Sequence, residues 1–277
     1  MSFASSKALY PARTVMANGI PTNYIEAGSG DPLLLLHGGG AGADSYGNWF
    51  SCIPIFAQHY HVIAVDLLGF GATGKPDPAT FAYSQDARNV HMTAFVEALG
   101  LGPVYLVGNS MGGATSIGVS IKRPDLVRKI VLMGSAGIKA ESGPALASIT
   151  NYDFTRDGMV RICQALANKT FHVDDEMVDY RVALAVEPQT RAAYSATMGW
   201  VKEQHGLYYE DDFIRKVTHK TLVVGGKEDI VVPFDKALRF LELIDNSWGY
   251  FLPHCGHWAM LEYPADFASE TIRFLKG

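Results

Sequence analysis

The sequence predicts a doubly wound α/β fold with a mostly parallel sheet and an inserted helical lid. Three observations predict it: strand-sized apolar runs recur along the chain, helical stretches separate them, and this rhythm stops between Ile138 and about Glu210. Strands buried on both faces read as continuous apolar runs, whereas half-solvated strands alternate, so these runs call for helices on both sides of a parallel sheet. The chain can bury such a core, because it has 277 residues, 48% of them apolar and 18% charged, which excludes disorder.

The first element is a hairpin, with Thr14–Ala17 and Thr22–Glu26 alternating around Asn18-Gly19, a dipeptide suited to the positive φ angles of a tight turn. Apolar strands follow at Leu33–Leu36, Val62–Val65, Val104–Val107, Ile130–Met133 and Thr221–Val224, with a shorter run at Tyr250–Leu252. Helices are predicted over Ser84–Leu99, Ser110–Lys122, Phe234–Leu243 and Pro264–Leu275, with start signals such as Ser84 and Pro264. The core then comprises residues 1–137 and 210–277, and residues 138–209 form the lid. The lid carries Tyr152, Phe154, Met159, Phe171, Met177, Tyr180, Tyr194, Met198 and Trp200. Most of these are expected to pack lid against core, and the lid aromatics and methionines are also expected to supply an acyl pocket.

Charge and cysteine usage narrow the function classes. Lys and Arg number 23 against 28 Asp and Glu, a net charge of −5 without a basic block, so nucleic-acid binding through phosphate contacts is not expected. No apolar run approaches the length of a membrane span, and Met1–Tyr10 lacks a basic flank followed by an apolar stretch. Cys52, Cys163 and Cys255 are odd in number and widely spaced, which argues against a disulfide framework and for a reducing cytoplasm.

The chemistry-bearing residues sit at strand ends. Val104–Val107 runs into Gly108-Asn109-Ser110-Met111-Gly112-Gly113 and then a helix, the strand-turn-helix context of a nucleophile elbow that lifts a serine hydroxyl above the sheet. Leu33–Leu36 leads into His37-Gly38-Gly39-Gly40; a backbone N–H of this glycine run, with that of Met111, can form an oxyanion hole. On this architecture the acid and the histidine follow the serine in sequence. Asp229, after the Gly225-Gly226 turn, is the favoured acid and Glu228 the alternative; His257, between Gly256 and Trp258 before the last helix, is the base in preference to His254. His59 and His61 precede a core strand without further metal ligands. Gly69-Phe70-Gly71-Ala72-Thr73-Gly74 matches a dinucleotide fingerprint, but Lys75-Pro76-Asp77-Pro78 forbids the helix that such a site needs.

Taken with Asp66-Leu67-Leu68-Gly69-Phe70-Gly71, Gly226-Lys227-Glu228-Asp229 and Cys255-Gly256-His257-Trp258, these motifs resemble the α/β-hydrolase superfamily over nearly the whole chain. Within it the sequence resembles the meta-cleavage product hydrolases of bacterial aromatic degradation, most of all the carbazole-pathway branch. The triple glycine, the asparagine before the serine and the tryptophan after the histidine carry the narrower match; Ala41-Gly42 stands where the family often has a proline. The resemblance implies hydrolysis of a carbon–carbon bond in a 2-hydroxy-6-oxo-6-arylhexa-2,4-dienoate, giving 2-hydroxypenta-2,4-dienoate and an aromatic acid, with no metal or organic cofactor, in a cytoplasmic homodimer or larger homo-oligomer. It implies Ser110, Asp229 and His257 as the triad, Gly39 and Met111 as oxyanion-hole donors, and Gly38, Asn48, Asn109, Arg181 and Trp258 as substrate-binding residues.

Chemically, a guanidinium and amides suit the charged dienoate end, and an apolar pocket suits the acyl substituent. Other readings stand beside these: Trp258 packing the last helix, Arg181 as a solvated lid residue with Arg191 in its place, and Asn48 in no binding role. A carboxylesterase or cofactor-free haloperoxidase-like enzyme would use the same triad, and a small-molecule receptor would use the scaffold without turnover.

Overall fold

Asn18 and Gly19 both adopt left-handed backbone conformations, at φ 49° and 74°, and fold β1 (Ala12–Ala17) back on β2 (Ile20–Ala27) as an antiparallel pair. In this computed structural model, which describes residues 7–139 and 143–277, β2 next pairs antiparallel with β4 (His61–Val65). From there the sheet is parallel through β3 (Pro32–Leu36), β5 (Val104–Asn109), β6 (Val127–Met133), β7 (Lys220–Gly226) and β8 (Ser247–Leu252). The order is β1-β2-β4-β3-β5-β6-β7-β8. Every predicted strand is present, each lengthened by one to three residues at an end or at both. Leu33, Leu34, Leu35 and Leu36 of β3 are fully buried, as a central strand covered on both faces requires; each buries a side chain worth about 1.5–3 kcal/mol.

Strand order reverses between β3 and β5, because the chain fills one side of β3 with β4 and then crosses to the other. The loops leaving the carboxyl ends of β3 and β5 thus diverge and open a crevice, the place where ligands bind in open α/β sheets.

Two short helices follow β3, α1 (Ser45–Trp49) and α2 (Ile53–Phe56). Neither was legible in the sequence, since helices of five and four residues are too short to show periodicity. α3 (Gln85–Leu99) is capped by Ser84, whose hydroxyl accepts from the Ala87 N–H at 3.1 Å, and it ends at Gly100 in the left-handed conformation. α4 (Met111–Lys122) starts directly after Ser110. Between β6 and β7 lie α5 (Pro144–Thr150), α6 (Arg156–Leu166), α7 (Asp175–Ala185), α8 (Pro188–Glu203) and α9 (Asp211–Ile214). The chain leaves and re-enters this segment side by side: the Gly137 N–H donates to Leu207 O at 3.0 Å and the Tyr209 N–H to Gly137 O at 2.9 Å. α10 (Phe234–Leu243), α11 (Ala259–Glu262) and α12 (Pro264–Lys276) complete the fold. Among the described residues no helix is long and apolar enough to cross a membrane.

Residues 66–84 contain no helix. The stretch that mimics a dinucleotide fingerprint folds around Asp66, whose Oδ2 accepts from the Ala72 N–H at 2.8 Å and whose carbonyl accepts from the Thr73 hydroxyl at 2.7 Å.

Candidate active site

Ser110 stands at the apex between β5 and α4 with φ 52° and ψ −115°, a conformation costing a non-glycine residue about 1–3 kcal/mol that the surroundings must enforce. Gly108 and Gly112 allow it. A Cβ on Gly112 would stand 2.2 Å from the Leu36 carbonyl oxygen, and one on Gly108 would stand 2.4 Å from that of Gly112, so only bare backbone lets α4 enter this tightly against β3. The Ser110 N–H donates to Met133 O of β6 at 3.2 Å, tying the strained residue to the next strand.

His257 follows β8 in a buried loop, and its Nδ1 lies 2.7 Å from Asp229 Oδ2. Asp229 Oδ1 accepts from the N–H groups of Val231 and Val232 at 2.8 and 2.9 Å, which fixes the carboxylate plane. The two side chains are about 1–2% exposed, so the pair is screened from water. Glu228 faces elsewhere: it accepts from Asn168 Nδ2 at 2.7 Å and contacts His254 Nδ1 at 3.0 Å, and these partners hold its carboxyl below the usual range. Among the described residues no hydrogen bond joins Ser110 Oγ to His257; both line one cavity, and such contacts tighten when substrate binds.

The glycine run after β3 forms the opposite wall. Gly39 lies directly against the Met111 side chain, so that a Cβ there would meet its Cε at 2.4 Å. His37 sets this loop: it accepts from the Leu67 N–H through Nε2 at 2.9 Å and donates from Nδ1 to Gly38 O at 2.7 Å. Burial lowers its pKa to about 4, so it is neutral at working pH. Carbonyl and N–H of one trans peptide point in opposite directions; holding Gly38 O toward His37 turns the Gly39 N–H the other way.

The cavity encloses about 900 Å³ including its mouth. At one end it is polar. Asn48 on α1, Asn109 beside Ser110, Arg181 on α7 and Trp258 line it together with Gly38, and Asn48 Oδ1, Asn109 Oδ1 and Arg181 Nε are buried without hydrogen-bond partners. Arg181 donates from Nη2 to Ala41 O at 2.8 Å, and its guanidinium lies 5.1 Å from the Trp258 ring, a desolvated cation–π contact. Arg181 is therefore a buried cavity residue and not a solvated one, whereas Arg191 is exposed and lies over the Phe154 ring at 4.5 Å. Trp258 is buried beside both Arg181 and the start of α11.

The rest of the lining is mainly aliphatic, from Ile138, Leu146, Ile149, Val201, Leu207, Val231 and Val232, with Met198, and Leu166 lies beside Arg181 at Gly40. This corrects the expectation that lid aromatics form the acyl pocket. Tyr152, Phe154 and Tyr194 pack edge-to-face or tilted on one another, and Tyr194 reaches Phe70 of the core; of the nine lid residues singled out by type, Met198 alone lines the cavity. Aromatic content reports a packing cluster as readily as a pocket. The sequence also gave no signal for Ser135 and Lys236, which line the wall, or for Asp44 and Tyr180 behind it. Asp44 caps α1, its Oδ1 accepting from the Gly47 N–H at 2.6 Å.

Comparison with known proteins agrees with this geometry. Residues 31–264 match the family model of the α/β-hydrolase fold. The chain is 55% identical over 271 residues to the 2-hydroxy-6-oxo-6-(2'-aminophenyl)hexa-2,4-dienoic acid hydrolase of Metapseudomonas resinovorans, covering 98% of this chain and 92% of that one. It superposes with a TM-score of 0.89 on a serine hydrolase involved in carbazole degradation, at 53% identity, covering 96% of this chain and 99% of the other. It also superposes, again at 0.89, on a meta-cleavage product hydrolase from Pseudomonas fluorescens IP01, at 30% identity, covering 95% of this chain and 97% of that one. The chain thus belongs to the α/β-hydrolase family and, within it, to the meta-cleavage product hydrolases, which cleave carbon–carbon bonds.

Proposed function

We propose that this enzyme hydrolyses the C5–C6 bond of a 2-hydroxy-6-oxo-6-arylhexa-2,4-dienoate, with Ser110 as nucleophile, His257 as general base and Asp229 as the group that holds its tautomer. The observation that carries this reading is the polar end of the cavity: one unpartnered donor, Arg181 Nε, beside two unpartnered acceptors, Asn48 Oδ1 and Asn109 Oδ1. A 2-hydroxy carboxylate needs both kinds, a donor for its carboxylate and acceptors for its hydroxyl. A simple ester offers neither.

Hydrolysis adds water across the bond. Oxygen goes to C6, making the aromatic acid, and a proton goes to C5, making the hydroxypentadienoate. The N–H groups of Gly39 and Met111 stabilise the oxyanion at C6, each donor worth on the order of 3 kcal/mol, and residues 138–209 act as the lid over the substrate. The aliphatic part of the cavity receives the aryl group, a choice supported by 55% identity to an aminophenyl-dienoate hydrolase. Three buried free cysteines support a reducing, cytoplasmic setting, and the family resemblance supports a homodimer.

The test uses three substrates side by side: the 6-phenyl dienoate, its 6-methyl analogue and a p-nitrophenyl ester. The expected kcat/KM is highest for the 6-phenyl compound, by about tenfold or more over 6-methyl if about 1.4 kcal/mol of ring burial reaches the transition state. Preference for the ester would make this a carboxylesterase; preference for 6-methyl would remove the aryl assignment.

A further inference from the structure

Behind the polar end of the cavity lies a second set of contacts that touches none of the reacting groups. The loop from Gly40 to Asp44 leaves the oxyanion-hole strand and enters α1, the helix that carries Asn48. Asp44 begins that helix: its Oδ1 caps the Gly47 N–H, and its carboxylate is buried. Asp44 Oδ2 accepts a hydrogen bond from the hydroxyl of Tyr180 on α7. Lys7 closes the cluster, donating to the Tyr180 hydroxyl at 2.6 Å and standing 3.6 Å from Asp44 Oδ2. Tyr180 immediately precedes Arg181, so two adjacent residues of α7 grip one short loop at two points, Tyr180 at Asp44 and Arg181 at Ala41 O. Between those points Gly42 sits at φ +66° with the Arg181 carbonyl pressed upon it, where a Cβ would stand 2.1 Å from the oxygen. Any other residue there would force α7 off the loop.

We infer that the Tyr180–Asp44 contact is a latch that sets the spacing between Arg181 and Asn48, and that Tyr180 and Asp44 are positioning residues for the substrate's 2-hydroxy-carboxylate end. Arg181 and Asn48 come from elements about 130 residues apart in sequence, and each keeps a buried polar atom without a partner. Binding one small ligand with both requires their separation to be fixed in advance, because an error of a fraction of an ångström already weakens a charge-assisted bond. Ala41 O and the Gly42 backbone hold α7 to the loop only at Arg181 itself, and the ring of Tyr180 on Tyr46 of α1 is a non-directional contact. The hydrogen bond at Asp44 removes the freedom this leaves.

This rests on the proposed role of Arg181, and the test separates the two. Tyr180→Phe, Arg181→Ala and the double variant are compared on the 6-phenyl dienoate and on p-nitrophenyl acetate, a small neutral ester. Tyr180→Phe is expected to lower kcat/KM about tenfold for the dienoate and less than twofold for the ester, and to add no further loss when Arg181 is already Ala. A purely structural role would lower both substrates together, or add to the Arg181→Ala loss, and either result overturns the latch. If Arg181→Ala itself lowers both substrates alike, the carboxylate role and the latch fail together; if Arg181→Ala discriminates and Tyr180→Phe does not, the latch alone fails. Asp44→Ser keeps a capping oxygen for the Gly47 N–H but removes Oδ2, so it breaks the same contact from the other side and must reproduce the Tyr180→Phe pattern; if it spares the dienoate, the latch is overturned even should Tyr180→Phe fold poorly.

Discussion

At the scale of single residues, the decisive neighbours are Glu228 and Asp229. They are adjacent in sequence, both acidic and both follow β7, yet Asp229 reaches His257 at 2.7 Å while Glu228 is held by Asn168 and His254. Asp229→Asn should therefore lower kcat for the dienoate by about 10⁴, because the amide favours the wrong imidazole tautomer. Glu228→Gln should change it less than threefold. Steady-state kinetics of both variants check this, and the reverse ranking would reassign the acid. Asp229 and His257 were legible because each follows a strand in a glycine-flanked loop. Asp44 and Tyr180 were not, since an acid at a short helix and a tyrosine on α7 have many uses, and only their meeting in space, 136 positions apart, gives them one.

At the scale of elements, the strands and long helices were legible almost to their ends, because burial on both faces leaves continuous apolar runs and Ser84 and Pro264 leave helix-start signals. The segment between β6 and β7 was legible only as a break in rhythm. Its helices pack by aromatic clusters such as Tyr152, Phe154 and Tyr194, and nothing in residue type distinguishes a side chain facing another helix from one facing the cavity. Arg181 and Arg191 illustrate the same limit: each occupies a helix of this segment with apolar neighbours, and only the turn of α7 carries one of them inward. The short α1 escaped notice although it carries Asn48, since its stability comes from Asp44 and from the Ser45 N–H donating to Asp66 Oδ1 at 2.7 Å, not from a periodic apolar face.

At the scale of the whole molecule, buried titratable groups tie stability to pH. His37 and His91 are both buried and held neutral, each with its pKa lowered from 6.5 to about 4 by burial; His91 is paired at Nε2 with Thr22 Oγ1 at 2.8 Å. The unfolded chain takes up two protons as pH falls from 6.5 toward 4 while the folded chain does not, so these groups destabilise the fold over that window. Asp44 acts in the opposite sense, since burial raises its pKa from 3.8 to about 6 and the folded state then holds the proton that the unfolded state releases. Glu262, whose pKa burial also raises, adds to Asp44, so the two carboxyls offset part of the uptake by the two histidines and stability falls gently toward acid. Urea midpoints should fall between pH 6.5 and 4.5, less steeply in His91→Gln; a midpoint that rises toward acid, or an unchanged slope in that variant, would contradict this.

Turnover by this enzyme requires a strained serine to cut a carbon–carbon bond, and one measurement meets that directly. The coloured 6-phenyl dienolate is mixed with wild-type enzyme and with Ser110→Ala, its absorbance is followed, and benzoate is quantified at the end. Wild-type enzyme should bleach the dienolate with one benzoate formed per molecule consumed, while Ser110→Ala should bind it, shifting its spectrum, and form almost none. Bleaching without benzoate, or benzoate formed by Ser110→Ala at a rate near that of the wild type, would contradict it.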